Sequence, residues 1–278
     1  MGKLYICGTP IGNLEDVSIR LLKTLRRVDL IACEDTRHTI KLLNRYKIKN
    51  HLISYHEYSD HNREQYILNE VLAGKEVALV CNAGMPAISD PGARLIKKAI
   101  DAGISLEAIP GPSALTVTLA LAGIDSSSFV FEGFLPNKKG KRQAKLLQLK
   151  DETRTVIIYE APHRVLDTLA DIVEIMGPGR QIAVARELTK KHEEVIRGTA
   201  EEVFFIMKTK DGAQRGEFSI AIAGQKEQVL EEDVEKIADE VELLIQTGMK
   251  KKEALKQKAQ EYKVKKSSIY NCLLKRRI

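Results

Sequence analysis

The residues best suited to chemistry stand in four short segments, each of which directly follows an apolar run typical of a buried strand. Three segments are rich in glycine and proline and one carries opposite charges: residues 8–13 (GTPIGN), 34–37 (EDTR), 82–92 (NAGMPAISDPG) and 110–114 (PGPSA). Glycine lets a backbone approach a ligand closely, and proline fixes the direction of the chain. Brought together, such segments predict a cleft that offers backbone donors and acceptors to a small polar ligand.

Charged side chains at the ends of the predicted strands are candidates for the polar work of a site. They are Glu34, Asp35, Arg37, Asp90, Glu160, His163, Arg164, Arg186 and Glu187. A structural interpretation stays open beside the functional one, because Glu34–Arg37 and Arg186–Glu187 could equally form ion pairs or helix caps.

Several common sites are not expected. The chain has no GxGxxG, and its nearest approach to a P-loop, Gly133 to Gly140-Lys141-Arg142, is two residues too long and lacks the Ser or Thr that would hold magnesium. No metal is expected, since the six His do not cluster and no acidic run has the spacing of cation ligands. Four cysteines at 7, 33, 81 and 272 form no CxxC, and the first three are interpreted as buried thiols.

Short apolar runs alternate with helical patterns over the first 110 residues, which predicts a largely parallel α/β sheet. Strands are predicted at 4–7, 30–33, 52–54, 77–81 and 106–109. Asp16 is expected to cap the first helix, and Gly103 to close the helix that starts at Pro91. In such a sheet, ligands bind beyond the carboxyl ends of the strands, where the four segments lie.

A second α/β block and a helical tail follow. The block is richer in strands, predicted at 129–131, 156–159, 182–185 and 218–222, and favours a mixed sheet; its predicted helices are 144–149 and 165–176. In the tail, apolar faces predict three helices: Val234, Ile237, Val241, Leu244 and Ile245; then Ala254, Leu255 and Ala259; then Ile269, Leu273 and Leu274. We therefore expect two α/β domains, 1–122 and 123–225, and a helical extension, 226–278.

Positive charge is concentrated in the extension. The chain of 278 residues carries 44 Lys and Arg against 38 Asp and Glu, yet residues 249–278 alone hold 11 basic and 2 acidic side chains. Two short helices with basic outer faces predict a helix-turn-helix that contacts nucleic acid. A solvated helical hairpin is the alternative. Basic segments at 137–142 and 190–192 could extend the same path along a phosphate backbone.

Composition also bears on where the protein works. No apolar run reaches the roughly 18 residues of a membrane span, and the chain enters a strand pattern at once without a signal-peptide layout. We therefore expect a soluble, cytoplasmic protein without membrane contact.

Seven motifs in order resemble the tetrapyrrole methylase superfamily and, within it, the branch that methylates small-subunit ribosomal RNA. They are residues 8–14, 34–37, 83–92, 110–114, 132–136, 161–164 and 185–190. The resemblance implies a homodimer of two-domain α/β chains, with S-adenosylmethionine in the cleft between domains and 16S rRNA or the 30S subunit as partner. It also implies 2′-O-methylation of a cytidine ribose in the decoding region.

Carried over by position, the resemblance implies cofactor contacts at Pro10, Met85, Ile88, Ser113, Ala114 and Tyr159. The third loop departs from the Asp-Ala-Gly-Thr-Pro that relatives commonly carry, because Asn82 and Met85 stand in it here; their side-chain roles stay open. For the 2′-hydroxyl proton the candidates are Glu34 and Asp35, with Arg37 orienting them or a phosphate.

Two other functions compete with this one. A small-molecule methylase of the tetrapyrrole type would use the same cleft, but it has no need of a cationic extension. A non-catalytic nucleic-acid-binding protein would use the extension, but it would leave the loop-rich body without a purpose.

Overall fold

The computed structural model describes residues 2–56, 59, 61–212, 214–225, 231–262, 264 and 266–275. The chain forms two compact units, Met1–Gln225 and Lys226–Ile278. The strands are β1 Lys3–Cys7, β2 Leu30–Cys33, β3 Leu52–Ser54, β4 Glu76–Val80, β5 Ser105–Ile109, β6 Phe129–Phe134, β7 Thr155–Glu160, β8 Gln181–Arg186, β9 Glu194–Thr199 and β10 Phe218–Ile222. The helices are α1 Ile19–Arg27, α2 Thr36–Arg45, α3 His61–Leu72, α4 Ala93–Asp101, α5 Ala114–Ala122, α6 Lys139–Gln148, α7 Val165–Met176, α8 Ala200–Thr209, α9 Glu231–Gln246, α10 Lys251–Glu261 and α11 Lys266–Lys275.

The first sheet is entirely parallel, with strand order β3-β2-β4-β1-β5. Its central strands are apolar and buried because both faces are covered, as parallel sheets require. Alternate residues of β1 serve the two faces: Leu4 and Ile6 pack into one apolar cluster, Tyr5 and Cys7 into another. Since these strands all run one way, their carboxyl ends meet at one edge, which confirms the predicted arrangement.

The second sheet is mixed, as predicted, with strand order β6-β7-β10-β8-β9. β6 and β7 are parallel, whereas β10 is antiparallel to both β7 and β8. The pairing of β6 shifts register between Phe131 and Gly133, so a bulge bends the end of this strand. β9 and α8 were not predicted. The division of residues 1–225 at position 122 stays a prediction.

The second unit has an apolar centre of its own, which accounts for its three helices. Its buried side chains are Ile237, Ala238, Val241, Ala254, Leu255, Val264, Ile269 and Leu273. These confirm most of the predicted helix faces, although Leu274, predicted in the third apolar face, is 42% exposed. Lys252, Lys256 and Lys266 are exposed, so this unit presents positive charge to solvent.

The ends of the helices test the two caps that were predicted from the sequence. Gly103 adopts φ 69°, as expected of a residue that closes a helix, in this case α4. The expected cap at Asp16 is wrong: the hydroxyl of Ser18 accepts from Leu21 N and starts α1, while Asp16 lies in a short 3₁₀ turn. Cys7, Cys33 and Cys81 are buried free thiols, as interpreted.

Among the helices that the structure describes, none combines the length and the apolar character needed to cross a bilayer. Within the same residues, no three His, Cys, Asp or Glu side chains are grouped so that they could hold a metal ion.

Candidate active site

A cavity of about 410 Å³ opens at the carboxyl edge of the first sheet. Cavities of this size hold small ligands and cofactors. The first sheet's loops line it with Ile11, Glu34, Asn82, Ala83, Gly84, Met85, Ile88, Ser89, Asp90, Ser113 and Ala114. The opposite wall comes from the second sheet and its loops: Phe134, Tyr159, Glu160, Ala161, Pro162, Ala185, Leu188, Glu217, Phe218 and Ser219. The four segments singled out in the sequence therefore do meet in one place.

Most of the residues expected to contact a cofactor lie in this cavity. Met85, Ile88, Ser113, Ala114 and Tyr159 line it. Pro10 is buried outside the lining, and its neighbour Ile11 takes that place. Their roles toward a cofactor remain predictions, but the fold brings five of the six together.

Two glycine backbones meet where the first and fourth loops leave the sheet. A Cβ added to Gly8 would stand 2.6 Å from Gly111 N and 2.6 Å from the sulfur of Met85. One added to Gly111 would stand 2.6 Å from Gly8 O. Only glycine, which has no Cβ, permits this approach. It brings the first and fourth loops side by side where they leave the sheet.

Tyr159 connects the second sheet to α5, the helix that begins in the opposite wall of the cavity. Its hydroxyl accepts a hydrogen bond from Leu115 N at 3.1 Å, and so caps α5, whose N-cap residue Ser113 makes no side-chain cap bond. Its ring stands edge-on to Phe131 and Phe134, at 4.9 and 5.7 Å between centroids. Phe134 itself is 55% exposed at this wall. Sequence patterns could not predict this cap, because the partners are 44 residues apart.

The third loop is held in a strained form. Ala87 and Ser89 have φ values of 70° and 60°, a region that side chains disfavour. A Cβ on Gly133 would stand 2.7 Å from Ser89 Oγ, so this loop seats directly against the bulged end of β6. Contact with both sheets fixes the loop and the residue that follows, Asp90.

The three predicted catalytic residues separate in the structure. Glu34 lines the cavity and accepts a hydrogen bond from Asn82 N at 3.4 Å. Asp35 and Arg37 are outside the lining and pair with each other, with Arg37 Nη2 2.8 Å from Asp35 Oδ2. Asp35 also caps α2. Hydrogen bonds from Arg37 hold the pKa of Asp35 down at about 2, so this carboxylate is a poor proton acceptor.

Four carboxylates line the cavity, and two of them pair with a basic side chain. Glu160 is buried and pairs with Arg164, which also donates to Leu135 O at 2.8 Å. Glu217 accepts from Lys190 Nζ at 2.9 Å. Within the described residues, neither Glu34 nor Asp90 pairs with a Lys or Arg. Burial, together with repulsion from Glu34, raises the pKa of Asp90 to about 6.

The cavity therefore suits a cationic ligand with polar groups. At neutral pH two unpaired negative charges face it, and a cation would relieve their repulsion. Asn82 Oδ1 is buried with no hydrogen-bond partner among the described atoms, so an acceptor is free for a ligand donor. S-adenosylmethionine has a sulfonium, an ammonium and an adenine amino group, and thus fits this lining. Phe134 and Glu217 were not among the sequence candidates, and the role of the Asn82 side chain was left open there.

Comparison with known proteins decides the family. The pattern of the Tetrapyrrole (Corrin/Porphyrin) Methylases matches residues 3–203. The chain belongs to this family. Two relatives, each named Ribosomal RNA small subunit methyltransferase I, come from Halalkalibacterium halodurans and Bacillus subtilis. They are 43% and 42% identical, over 97% and 98% of this chain and 94% of each relative. Within the tetrapyrrole methylases, the chain belongs with the proteins of that name.

A third relative of the same name, from Thermotoga maritima, is shorter. It is 48% identical over 226 residues, which are 81% of this chain and the whole of that relative. Its length is close to that of the first unit, Met1–Gln225.

Solved structures confirm the fold. The methyltransferase CobJ superposes with a TM-score of 0.60 at 16% identity, over 81% of this chain and 95% of its own. A uroporphyrin-III C-methyl transferase from Thermus thermophilus, complexed with S-adenosyl homocysteine, gives 0.55 at 14% identity, over 81% and 98%. The expected class, two α/β domains of the tetrapyrrole methylase type with a helical extension, is confirmed.

The Gly8–Gly111 approach yields a first prediction. Gly111→Ala should lower the free energy of unfolding by about 1–3 kcal/mol, because the methyl group would collide with backbone. It should also weaken the binding of S-adenosylmethionine to the cavity. Urea unfolding and calorimetry with S-adenosylmethionine measure the two effects.

The matched control is Gly140→Ala in α6, where a Cβ meets nothing within 4 Å. It should raise stability by about 0.5–1 kcal/mol, since alanine favours a helix over glycine. Equal stability changes at both positions would contradict the steric explanation.

The buried Glu160–Arg164 pair yields a second prediction. Arg164→Met leaves a carboxylate with 0% exposure without its cation, and should cost about 3–5 kcal/mol of unfolding free energy. Lys97→Met breaks an exposed pair with Asp101, whose side chains are 76% and 59% exposed, and should cost less than about 1 kcal/mol. Similar losses in the two variants, measured by urea unfolding, would show that the Glu160 pair is not desolvated.

Proposed function

We propose that the chain is a methyltransferase of small-subunit ribosomal RNA that methylates the ribose 2′-hydroxyl of a cytidine in the decoding region of 16S rRNA. One observation carries the proposal: a chain that matches proteins of that name over nearly its whole length keeps an acidic, cofactor-sized cavity at the carboxyl edge of its parallel sheet. The cytidine, the 2′-oxygen and the decoding region are what the family resemblance implies.

The cofactor is S-adenosylmethionine. When bound, it supplies a methyl group activated by a positively charged sulfur. Met85, Ile88, Ser113, Ala114 and Tyr159 are the residues that we propose to hold it. The Tyr159 bond to Leu115 N and the Gly8–Gly111 approach keep these residues in place, so that binding loses little conformational entropy.

The chain's main task in the reaction is alignment. An oxygen, a carbon and a sulfur must lie in line, and fixed loops on two sheets supply the walls that hold the reactants so. The hydroxyl proton also needs an acceptor, and a carboxylate of the cavity wall meets that need. Among the three predicted residues, Glu34 lies in that wall. We propose that the Asp35–Arg37 pair stabilises the start of α2 beside it.

RNA contacts are proposed for basic and aromatic side chains near the cavity. Lys138, Lys139 and Lys141 are exposed and follow the exposed Phe134 of the cavity wall, a combination that suits single-stranded nucleic acid. Two members of the predicted basic segments are otherwise engaged. Arg142 is buried in a pair with Asp171, and Lys190 is bound by Glu187 and Glu217.

The oligomeric state, the location in the cell and the RNA partner are proposed from the family resemblance. We propose that the protein works as a homodimer in the cytoplasm, on 16S rRNA or the 30S subunit. A tetrapyrrole-type small-molecule substrate is the second candidate, because the solved neighbours include such a methylase. The exposed lysines of the second unit favour the RNA.

The proposed reaction predicts a single modified nucleotide. In cells that lack the gene, 16S rRNA should lose one methyl group on a cytidine ribose in the decoding region, and the purified protein with S-adenosylmethionine should restore it. Mass mapping of nuclease fragments measures both. Unchanged methylation in the deletion strain, or a restored methyl group on a base, would contradict the proposal.

The second unit predicts a salt effect. Replacing Lys252, Lys256 and Lys266 with Gln should weaken RNA binding and reduce the slope of log affinity against log salt by about two to three, since each lost phosphate contact removes about 0.7–0.9. Deleting residues 226–278 should have a larger effect in the same direction and leave binding of S-adenosylmethionine intact.

The control removes the same charge from the first unit, at the exposed Lys23, Lys41 and Lys49. It should change the slope less. Filter binding at several salt concentrations gives the slopes, and equal slopes for both triple variants would exclude the extension as the main RNA contact.

A further inference from the structure

We propose that Asp90 accepts the 2′-hydroxyl proton during methyl transfer, with Glu34 as the neighbouring charge that tunes it. This inference rests on the proposed function and deepens it, because it names the residue that performs the acid–base step. Asp90 was among the charged candidates of the sequence but was assigned no role there.

The hydrogen-bond and ion-pair partners of the cavity carboxylates limit which of them can accept the proton. Glu160 accepts hydrogen bonds from Ala161 N, Thr168 and Arg164, so its oxygens are occupied. Glu217 is bound by Lys190. Among the described residues, Glu34 and Asp90 are thus the two lining carboxylates without a cation. A carboxylate with an unoccupied lone pair in the cavity is what a proton acceptor requires.

The loop geometry sets Asp90 apart from Glu34. Ala87 and Ser89 take left-handed backbone conformations, which persist only where the surroundings enforce them. Here the enforcing contact is Ser89 against Gly133 of the second sheet. Asp90 follows at once, so its position is set by both walls of the cavity. Strain of this kind concentrates at sites where a side chain must be held for chemistry.

The surroundings of Asp90 give it the basicity that the step needs. Burial raises its pKa first, and the charge of Glu34 raises it further, while a hydrogen bond with Cys81 opposes both; the result is about 6. Burial is the main cause that raises the pKa of Tyr159 on the opposite wall, and the nearby charge of Asp90 raises it further. Asp90 is therefore ionised at neutral pH and yet more basic than an ordinary carboxylate.

In the proposed step, one bond forms as another breaks, and one proton moves to the protein. The ribose 2′-oxygen forms a bond to the methyl carbon as the bond between that carbon and the sulfonium sulfur breaks. The hydroxyl proton passes to a carboxylate oxygen of Asp90, and the electron pair of the broken bond stays on sulfur. The products are a methyl ether, a neutral thioether and a protonated Asp90, which releases its proton to solvent.

The test is the pH dependence of single-turnover methylation of 16S rRNA or 30S subunits. In the wild type, the rate should fall tenfold per pH unit below an apparent pKa near 6. Asp90→Asn should lower the plateau rate by about 10²- to 10⁴-fold and remove this acidic limb. Calorimetry should show that the variant still binds S-adenosylmethionine. Asp101→Asn, an exposed residue at the end of α4, should change neither the rate nor the limb.

Glu34→Gln separates the two carboxylates. If Asp90 takes the proton, loss of the neighbouring charge moves the acidic limb to lower pH and the limb persists. If Glu34 takes it, Glu34→Gln abolishes the limb and Asp90→Asn only shifts it, which would overturn the proposal. An unshifted limb in Glu34→Gln would also overturn it, since the two charges would then be uncoupled.

A readout without RNA keeps this test apart from the proposed function. In protein labelled with ¹³C at the aspartate carboxyls, one signal should titrate near pH 6, vanish in Asp90→Asn and titrate at lower pH in Glu34→Gln. If the wild type fails to methylate 16S rRNA, the proposed function fails whatever these spectra show. If it methylates but Asp90→Asn methylates equally fast, only the role of Asp90 fails.

Discussion

The site depends on one close contact between two backbones. At the edge where β1 and β5 end, Gly8 and Gly111 approach so closely that neither position has room for a Cβ. Parallel pairing brings the carboxyl ends of neighbouring strands to one edge, but it does not by itself bring their loops into contact. The absence of two side chains does so, and Met85 fills the space beside Gly8. The meeting of these two loops at the cavity is therefore a consequence of backbone packing.

Some carboxylates that line the cavity pair with a cation and others do not, and this difference changes the energy of the site. A buried carboxylate is normally satisfied by a cation, as Glu160 is by Arg164. Leaving Glu34 and Asp90 without such partners raises the energy of the empty cavity, since two like charges repel in a poorly hydrated place. A sulfonium ligand relieves that repulsion. Asn82 has a related effect, because it places an amide oxygen in the wall without adding a third unpaired negative charge to those of Glu34 and Asp90.

The sequence predicted the first sheet well because its strands are short apolar runs whose ends are marked by glycine and proline. It predicted less of the second sheet. β9 reads EVIRGT, an edge strand with only two adjacent apolar residues, and α8 after it has a capping box at Thr199 and Glu202 that was overlooked. Site residues divided in a similar way. Loop position predicted Glu34 at the edge of the sheet, and the resemblance indicated Met85 and Ser113; all three line the cavity. The structural alternative left open for residues 34–37 is found in the Asp35–Arg37 pair and the Asp35 cap. The Tyr159 cap and the free Asn82 oxygen depend on contacts that spacing cannot reveal.

The two units have different tasks in the proposed function. The relative from Thermotoga maritima bears the same name as the longer ones, yet its whole length aligns with 226 residues of this chain. The first unit here, of similar length, holds every described residue that lines the cavity. The second unit has its own apolar core and exposes lysines to solvent. We propose that it contributes to the affinity and the rate of RNA encounter, which depend on charge and on salt, whereas the alignment and proton transfer proposed for the first unit depend on pH.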